Sequence, residues 1–248
     1  MKAFTWSPRV RSSEIGPDGL LKPLSALHLL QETGVLASEA NGYGPQRYLE
    51  MGMTFMVYQL DVVFDGPARL GDTLVAKSWV SDFKLVRSRR ETVVTTQDGA
   101  PVFRANVMWI FMDAATRRPA KMKEKFRAAF LPAPGTYAHQ EPSPPTPALL
   151  APPVVGDRTP RYTDLDGLAH VNHAVSLSYV LDDLAERNAG ALGTLRRVMA
   201  TYAGQLSLGE SAEVITLGEL REGNRVTTSH EVRSPQEQVL TATVVREV

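Results

Sequence analysis

One order of elements occurs twice in this chain, and that duplication constrains the fold more than any other feature. In the first half, residues 5–11 read as a short strand, followed by the turn-rich loop SSEIGPDG. From Leu24 the run LSALHLLQETGVLASEA sets Leu27, Leu30, Val35 and Leu36 at helical intervals, and Asn41-Gly42 supplies the stop. His28 falls inside this helix and reads as a packed, hydrogen-bonded histidine. Strand patterns then hold from Thr54 to Asp113, in TFMVYQLDVVF, TLVAKSWVSDFKL, RSRRETVVTTQ and PVFRANVMWIFMD, with turns at Gly66-Pro67, Gly71-Asp72 and Asp98-Gly99. Phe103, Ala105, Val107 and Trp109 alternate with Arg104 and Asn106, the period of a strand with one buried face. One helix followed by hairpin-linked antiparallel strands buries its apolar stripe if the sheet wraps around it.

Between Leu131 and Val155 the chain reads LPAPGTYAHQEPSPPTPALLAPPVV. A stretch so rich in proline is expected to form neither sheet interior nor helix interior, and it reads as an extended, semi-stiff linker over 132–155. The alternative is a long ordered loop crossing one domain's surface. Two domains follow, 1–131 and 156–248. The second repeats the first: a short strand over Asp157–Thr163, a loop, a helix over Asn172–Asn188, then strands near RVMATYAGQL, SAEVITLGEL, NRVTTSHEV and QVLTATVVRE. Ala174, Leu177, Leu181 and Leu184 form the buried stripe of its helix, with Asp182, Asp183, Glu186 and Arg187 largely off it. Asp18-Gly19-Leu20 answers Asp166-Gly167-Leu168, and ARLGD at Ala68 answers LSLGE at Leu206. The two offsets, 148 and 138, place ten extra residues in the first half between helix and second strand, at NGYGPQRYLEMG.

Charge and composition remove several classes of function. With 27 basic and 27 acidic residues the chain lacks the field that drives non-specific binding to nucleic acid or membrane surfaces. It has no cysteine, which leaves oxygen and imidazole as the reacting groups. No stretch approaches about 18 uninterrupted apolar residues, and the start MKAFTWSPRVRSSEIG has no signal-peptide run, so a cytoplasmic protein is the default expectation.

The chemistry concentrates in RYTDLDGLAHVNHAV, residues 161–175, which packs two carboxylates, two imidazoles and an amide ahead of an amphipathic run. Asp166, His170 and Asn172 are expected in the loop and first turn of a helix, whose N-terminus favours negative charge. A plain polar loop with an N-cap Asn is the alternative. With the Asp-Gly-Leu triplets aligned, Lys22 and Leu24 answer His170 and Asn172. Only the second half keeps the cluster, as a duplicated fold with one working site would.

These residues resemble a family. DLDGLAHVNHAVSLSY at Asp164–Tyr179 resembles the DLDxNxHVNNxxY segment of acyl-acyl carrier protein thioesterases, and LLQETGVLASEANGYG and PARLGDTLVAKSW resemble that family in the first half. The resemblance spans nearly the whole chain. It implies an α+β fold of two tandem hotdog domains, each an antiparallel sheet wrapped around a central helix. It also implies a cofactor-free thioesterase that converts fatty acyl thioesters to free fatty acid and carrier thiol. The carrier is acyl carrier protein or coenzyme A, and a homodimer is left open. The active-site roles carry over to Asp166 and His170, and Asn172 matches the Asn of HVN. Leu168 stands where the family has Asn, His173 at the second Asn of HVNN and Ser176 at the closing Tyr, with Tyr179 a turn later. No residue of Thr194–Tyr202 answers the acid or cysteine of the plant enzymes' next strand.

Asp166 is then the general base or nucleophile, with His170 orienting water or polarising the carbonyl and helix N–H groups receiving the oxyanion. Met53, Phe55 and Met56 are candidate walls of an acyl tunnel in the first domain, and His173 a further substrate contact. Arg87, Arg89 and Arg90, or Arg117, Arg118, Lys121, Lys123 and Lys125, are candidate docking clusters for an acidic carrier. Two readings compete: Asp164, Asp166, His170 and His173 as metal ligands, and a non-catalytic acyl-binding module.

Overall fold

In the computed structural model, which describes residues 3–248, each half of the chain buries one helix against one antiparallel sheet. The first unit ends at Gln140 and the second runs from Glu141 to Val248. In the first unit the expected helix is α1 (Pro23–Glu39). Pro23 opens it because the N–H that proline lacks has no partner in a first turn. Ala26, Leu27, Leu30, Thr33, Gly34 and Ala37 are its buried stripe. Each fully buried leucine contributes about 1.5–3 kcal/mol, which outweighs the cost of about 1 kcal/mol for Gly34 inside a helix. His28 was expected within the packing but lies on the exposed face of α1.

The strands β1 (Phe4–Trp6), β2 (Met53–Phe64), β3 (Leu74–Phe83), β4 (Arg87–Thr96) and β5 (Pro101–Asp113) pair in the order β1-β3-β4-β5-β2. Every pairing is antiparallel. The alternation read in β5 holds: Phe103, Ala105 and Val107 are buried, and Trp109 lies against α1 near Gly34. Two short helices, α2 (Pro45–Glu50) and α3 (Glu124–Ala129), complete the unit.

The proline-rich stretch does more than connect. Its first part crosses the sheet face opposite α1. The Ala133 N–H donates to Val80 O at 2.9 Å, Trp79 Nε1 donates to Thr136 Oγ1 at 2.9 Å, and the Ala138 N–H donates to Glu91 Oε2 at 3.1 Å. Tyr137 lies under the Arg89 guanidinium, and His139 is buried beside Asn106. Its last part is already sheet. The strand expected at Asp157 begins nine residues earlier as β6 (Ala148–Arg158), and the division between the units, at Gln140/Glu141, falls inside the expected linker. Pro152 and Pro153 fit because they sit in the irregular stretch between Leu149 and Val154, on a strand that pairs only with its one neighbour.

The second unit repeats the first: β6, α4 (His173–Arg187), β7 (Thr194–Tyr202), β8 (Ala212–Glu222), β9 (Arg225–Arg233) and β10 (Gln238–Glu247), paired in the order β6-β8-β9-β10-β7. Ala174, Leu177, Leu181 and Leu184 are buried as expected. Asp183 is a correction, since it is buried too. It is held by Arg187 at 2.8 Å, and Gly156 of β6 passes so close that a Cβ there would meet the carboxylate. Arg187 leads on to Thr216, which meets His230 Nδ1 at 3.2 Å, and His230 Nε2 meets Thr228 Oγ1 at 2.7 Å.

Burial, with Arg187 and Arg246 adding repulsion, pushes the His230 imidazole down to about 3. In the unfolded chain this side chain takes a proton near pH 6.5; in the folded protein it stays neutral. The unfolded state therefore binds more protons through that window, and stability falls as pH drops from about 6.5 toward 3, by up to about 1.4 kcal/mol per unit from this one group. Urea unfolding of wild type and His230→Gln between pH 7 and 5 should show a flatter acid limb in the variant; equal slopes would contradict the assignment.

Candidate active site

The loop that leads into each helix is built the same way in both units. In the second, the Arg161 N–H donates to Asp164 Oδ2 at 2.8 Å, Leu165 bridges Val171, and the Asn172 N–H donates to Asp164 O at 2.9 Å. In the first, the Arg11 N–H donates to Glu14 Oε2 at 2.8 Å, Ile15 bridges Leu21, and the Lys22 N–H donates to Glu14 O at 2.9 Å. These equivalences run at an offset of 150, which corrects the register taken from the Asp-Gly-Leu triplets. Asp166 is answered by Gly16, His170 by Leu20 and Asn172 by Lys22. With Ala68 and Leu206 still 138 apart, the first unit carries twelve extra residues, and α2 lies among them.

The corrected register sharpens the contrast, because Gly16 and Leu20 have no titratable side chain where the second unit has Asp166 and His170. The Asp166 N–H donates to His170 O at 2.8 Å, so the two candidate residues close one tight turn. Asp166 Oδ1 accepts the Leu168 N–H at 2.8 Å. Ala169, between them, takes a left-handed φ of 61°, where its counterpart Gly19 sits at 76°. A non-glycine residue there costs about 1–2 kcal/mol, and such strain gathers at functional sites. Asp166 and His170 are both half-buried, and Leu168, at the family's Asn position, is half-exposed.

Asn172 is the N-cap of α4, its Oδ1 accepting the Ala174 N–H at 2.9 Å. The N–H groups of Val171 and Asn172 donate to Leu206 O and Asp164 O. Three of the N–H groups near the helix start are thus already engaged, which narrows the expected oxyanion role. The His173 ring stands edge-on to Tyr202 at 5.8 Å, and its carbonyl accepts the Tyr202 hydroxyl at 2.9 Å. Asp164, a ligand in the metal reading, instead accepts the Tyr179 hydroxyl at 2.8 Å as well as the Arg161 N–H. Burial and this carboxylate raise the Tyr179 phenol well above its ordinary range, so it remains a donor. Among the described residues no three His, Asp or Glu side chains form a group able to hold a metal ion.

Sequence reasoning placed Tyr179 a turn after the family's closing Tyr without giving it a partner, and it missed Tyr202 beside His173. It also missed that Leu206 is tied to this loop, its O accepting the Val171 N–H at 2.9 Å. The match of ARLGD to LSLGE carried that signal, since Ala68 O takes the Leu21 N–H in the same way in the first unit.

The first-unit candidates separate. Met53 and Phe55 pack with Phe111, Phe126 and Phe130, in a cluster that Tyr43, Tyr48 and Phe83 extend. Phe126 stands 4.5 Å edge-on to Tyr43 and 5.3 Å from Phe111. Met56 alternates to the other face of β2. The Arg87, Arg89 and Arg90 cluster is no surface patch: Arg89 pairs with Glu91 at 2.8 Å, while Arg90 is buried on the opposite face. Arg117, Arg118, Lys121, Lys123 and Lys125 are all exposed.

Removal of the cap tests how much of Asn172 is structural. Asn172→Ala should lower unfolding free energy by about 1 kcal/mol in urea titrations, and Asn172→Asp should restore most of it because Asp caps equally well. An alanine variant as stable as wild type would contradict the cap.

Comparison with known proteins bears on the whole chain. The Acyl-ACP thioesterase N-terminal domain matches residues 2–130 and the Acyl-ACP thioesterase C-terminal domain matches residues 154–246. A palmitoyl-acyl carrier protein thioesterase of Gossypium hirsutum is 27% identical over 195 residues, covering 72% of this chain and 46% of the relative. An acyl-[acyl-carrier-protein] hydrolase of Cuphea viscosissima is 26% identical over 186 residues, covering 70% and 45%. The chain thus spans about half the length of the relatives it matches. In fold it is similar to the 12:0-ACP thioesterase of Umbellularia californica, with a TM-score of 0.80 at 19% identity, covering 99% of this chain and 94% of that one. An acyl-ACP thioesterase of Bacteroides thetaiotaomicron gives 0.78 at 19% identity, covering 98% and 97%. Family domains account for both halves and the solved structures share the double hotdog fold: the chain belongs to the acyl-ACP thioesterase family.

Proposed function

We propose that the protein hydrolyses fatty acyl thioesters carried on acyl carrier protein, and that the reaction takes place at the loop of Asp166 and His170. The observation that carries this reading is the asymmetry of two loops of one construction. Both units build the turn, but only the second places a carboxylate and an imidazole on it, with a strained Ala169 between them. Structural need alone does not call for that chemistry, since the first unit closes the same turn with Gly16 and Leu20.

In the step proposed, Asp166 accepts a proton from water as the C–O bond forms, and the thioester oxygen gains the negative charge. His170 polarises that oxygen, assisted by first-turn N–H groups of α4 other than the Ala174 N–H held by the cap. Collapse breaks the C–S bond, and the departing thiolate takes up the proton. A thiolate is a good leaving group, so the loop need not supply a strong acid.

The first unit is proposed to take the acyl chain between α1 and its sheet. The aromatic cluster of Phe55, Phe111, Phe126 and Phe130 would form the floor that limits chain length. The exposed cations Arg117, Arg118, Lys121, Lys123 and Lys125 are proposed to meet the acidic carrier, an attraction that salt would screen. Thiol release from acyl-acyl carrier protein and from acyl-coenzyme A, each with wild type and Asp166→Asn, tests the reading. The variant should lose about 100-fold or more in kcat while its unfolding transition stays in place. Near-wild-type turnover would remove Asp166 from the mechanism, and binding without turnover in the wild type would favour an acyl-binding module.

A further inference from the structure

Among the described residues the first unit buries a cation that has no anion. Arg90 lies on the α1-facing side of β4, 8% exposed, with its Cδ and the Trp109 ring both beneath Gly34 of α1. Among the described residues its one hydrogen bond runs from Nη1 to Ser78 Oγ at 3.3 Å. Ser78 in turn donates to Glu91 O and accepts the Thr92 hydroxyl at 3.1 Å. Among the described residues no carboxylate lies within ion-pair distance of this guanidinium. The neighbouring Glu91 faces the other way, toward Arg89 and Ser81. Tyr48 adds little negative character, because burial pushes its phenol up to about 12. Burial pulls the Arg90 guanidinium down to about 10, which still leaves it charged near neutral pH.

An isolated buried charge costs several kcal/mol, and proteins normally answer it with a partner. The second unit does so at the same place in its fold. There Thr216, Thr228 and His230 occupy the positions of Ser78, Arg90 and Thr92, and the helix supplies a buried carboxylate, Asp183, already paired with Arg187. In the first unit the helix offers Thr33 where Asp183 stands and Ala37 where Arg187 stands. The Thr33 hydroxyl is already taken, accepting from Trp6 Nε1 and donating to Leu29 O. One network is closed on protein groups, while the other holds a guanidinium with most of its donors left for a ligand.

We infer that Arg90 is a specificity-determining residue that receives a carboxylate on the acyl chain of the substrate, so that chains ending in or bearing a carboxyl group are preferred over plain alkyl chains. This rests on the proposed placement of the acyl chain between α1 and the first sheet. Ser78, itself held by Thr92, accepts one guanidinium N–H, and the remaining N–H donors match the two oxygens of a carboxylate.

The test uses the full chain and needs no turnover. Isothermal titration with non-hydrolysable pantetheine thioethers compares ω-carboxyalkyl with alkyl chains of matched length, across a series of lengths. Wild type should bind the best carboxylated analogue about tenfold or more tightly than its alkyl match. Arg90→Met should erase that preference, and Arg90→Lys should keep part of it. Equal affinities in the wild type, or a preference that survives Arg90→Met, would overturn the inference. Should the methionine variant fail to fold, wild type and Arg90→Lys still decide, since an unchanged preference in the lysine variant with its misplaced point charge would also count against a bidentate site. Hydrolysis of plain acyl thioesters without any carboxylate preference would leave the catalytic reading standing and this one fallen. The preference without hydrolysis would do the reverse.

Discussion

A helix wrapped by an antiparallel sheet must be entered through a turn that satisfies its own backbone, and in this protein that turn holds the residues proposed to carry the chemistry. Asp166 and His170 are joined by a main-chain hydrogen bond, Leu165 and Val171 bridge, and Val171 is tied to Leu206 beyond β7. Buried backbone groups are costly to leave unpaired, so each of these bonds has to be made somewhere. Making them here fixes where the two side chains leave the loop before α4 begins. The Asn172 cap then sets where the helix starts.

Much of this was legible in the sequence. The alternation of Phe103, Ala105 and Val107, the apolar intervals in α1 and α4, and the polar run from Asp164 to His173 each reflect one dominant local force. The register between the repeats was not legible, and the reason is local as well. Asp18 and Asp166 each accept the N–H of the residue two positions on, Leu20 and Leu168, a self-contained device that can sit anywhere in a turn. The position that the loop requires is the left-handed one, held by Gly19 and Ala169, and an alanine there carries no compositional signal. The short helices α2 and α3, of six residues each, fall below the length at which a helical period can be read.

Charged residues misled the reading in one consistent way. Arg87, Arg89 and Arg90 look like a surface cluster in sequence, yet a strand sends neighbours to opposite faces, which leaves Arg89 beside Tyr137 and Arg90 inside. Asp183 was placed off the stripe of α4 for the same reason, that charge usually marks solvent. Burial of these groups is decided by partners far along the chain, Gly156 over Asp183 and Gly34 over Arg90, which no window of local sequence contains. The proline-rich stretch belongs with them, since its edge-strand role depends on β8 rather than on its own composition.

The two units thus share a scaffold and divide the work proposed for them: reaction at the loop of one, acyl recognition against the sheet of the other. The claim rests on the inequality of two equivalent positions, His170 and Leu20. Comparing kcat for thiol release from an acyl-acyl carrier protein in His170→Ala and Leu20→Ala, each corrected for its folded fraction, tests it most directly. The first should fall by about 100-fold or more, the range of a lost acid–base or polarising group, while the second stays within a few-fold of wild type. Equal losses at both positions, or no loss at His170, would contradict the account.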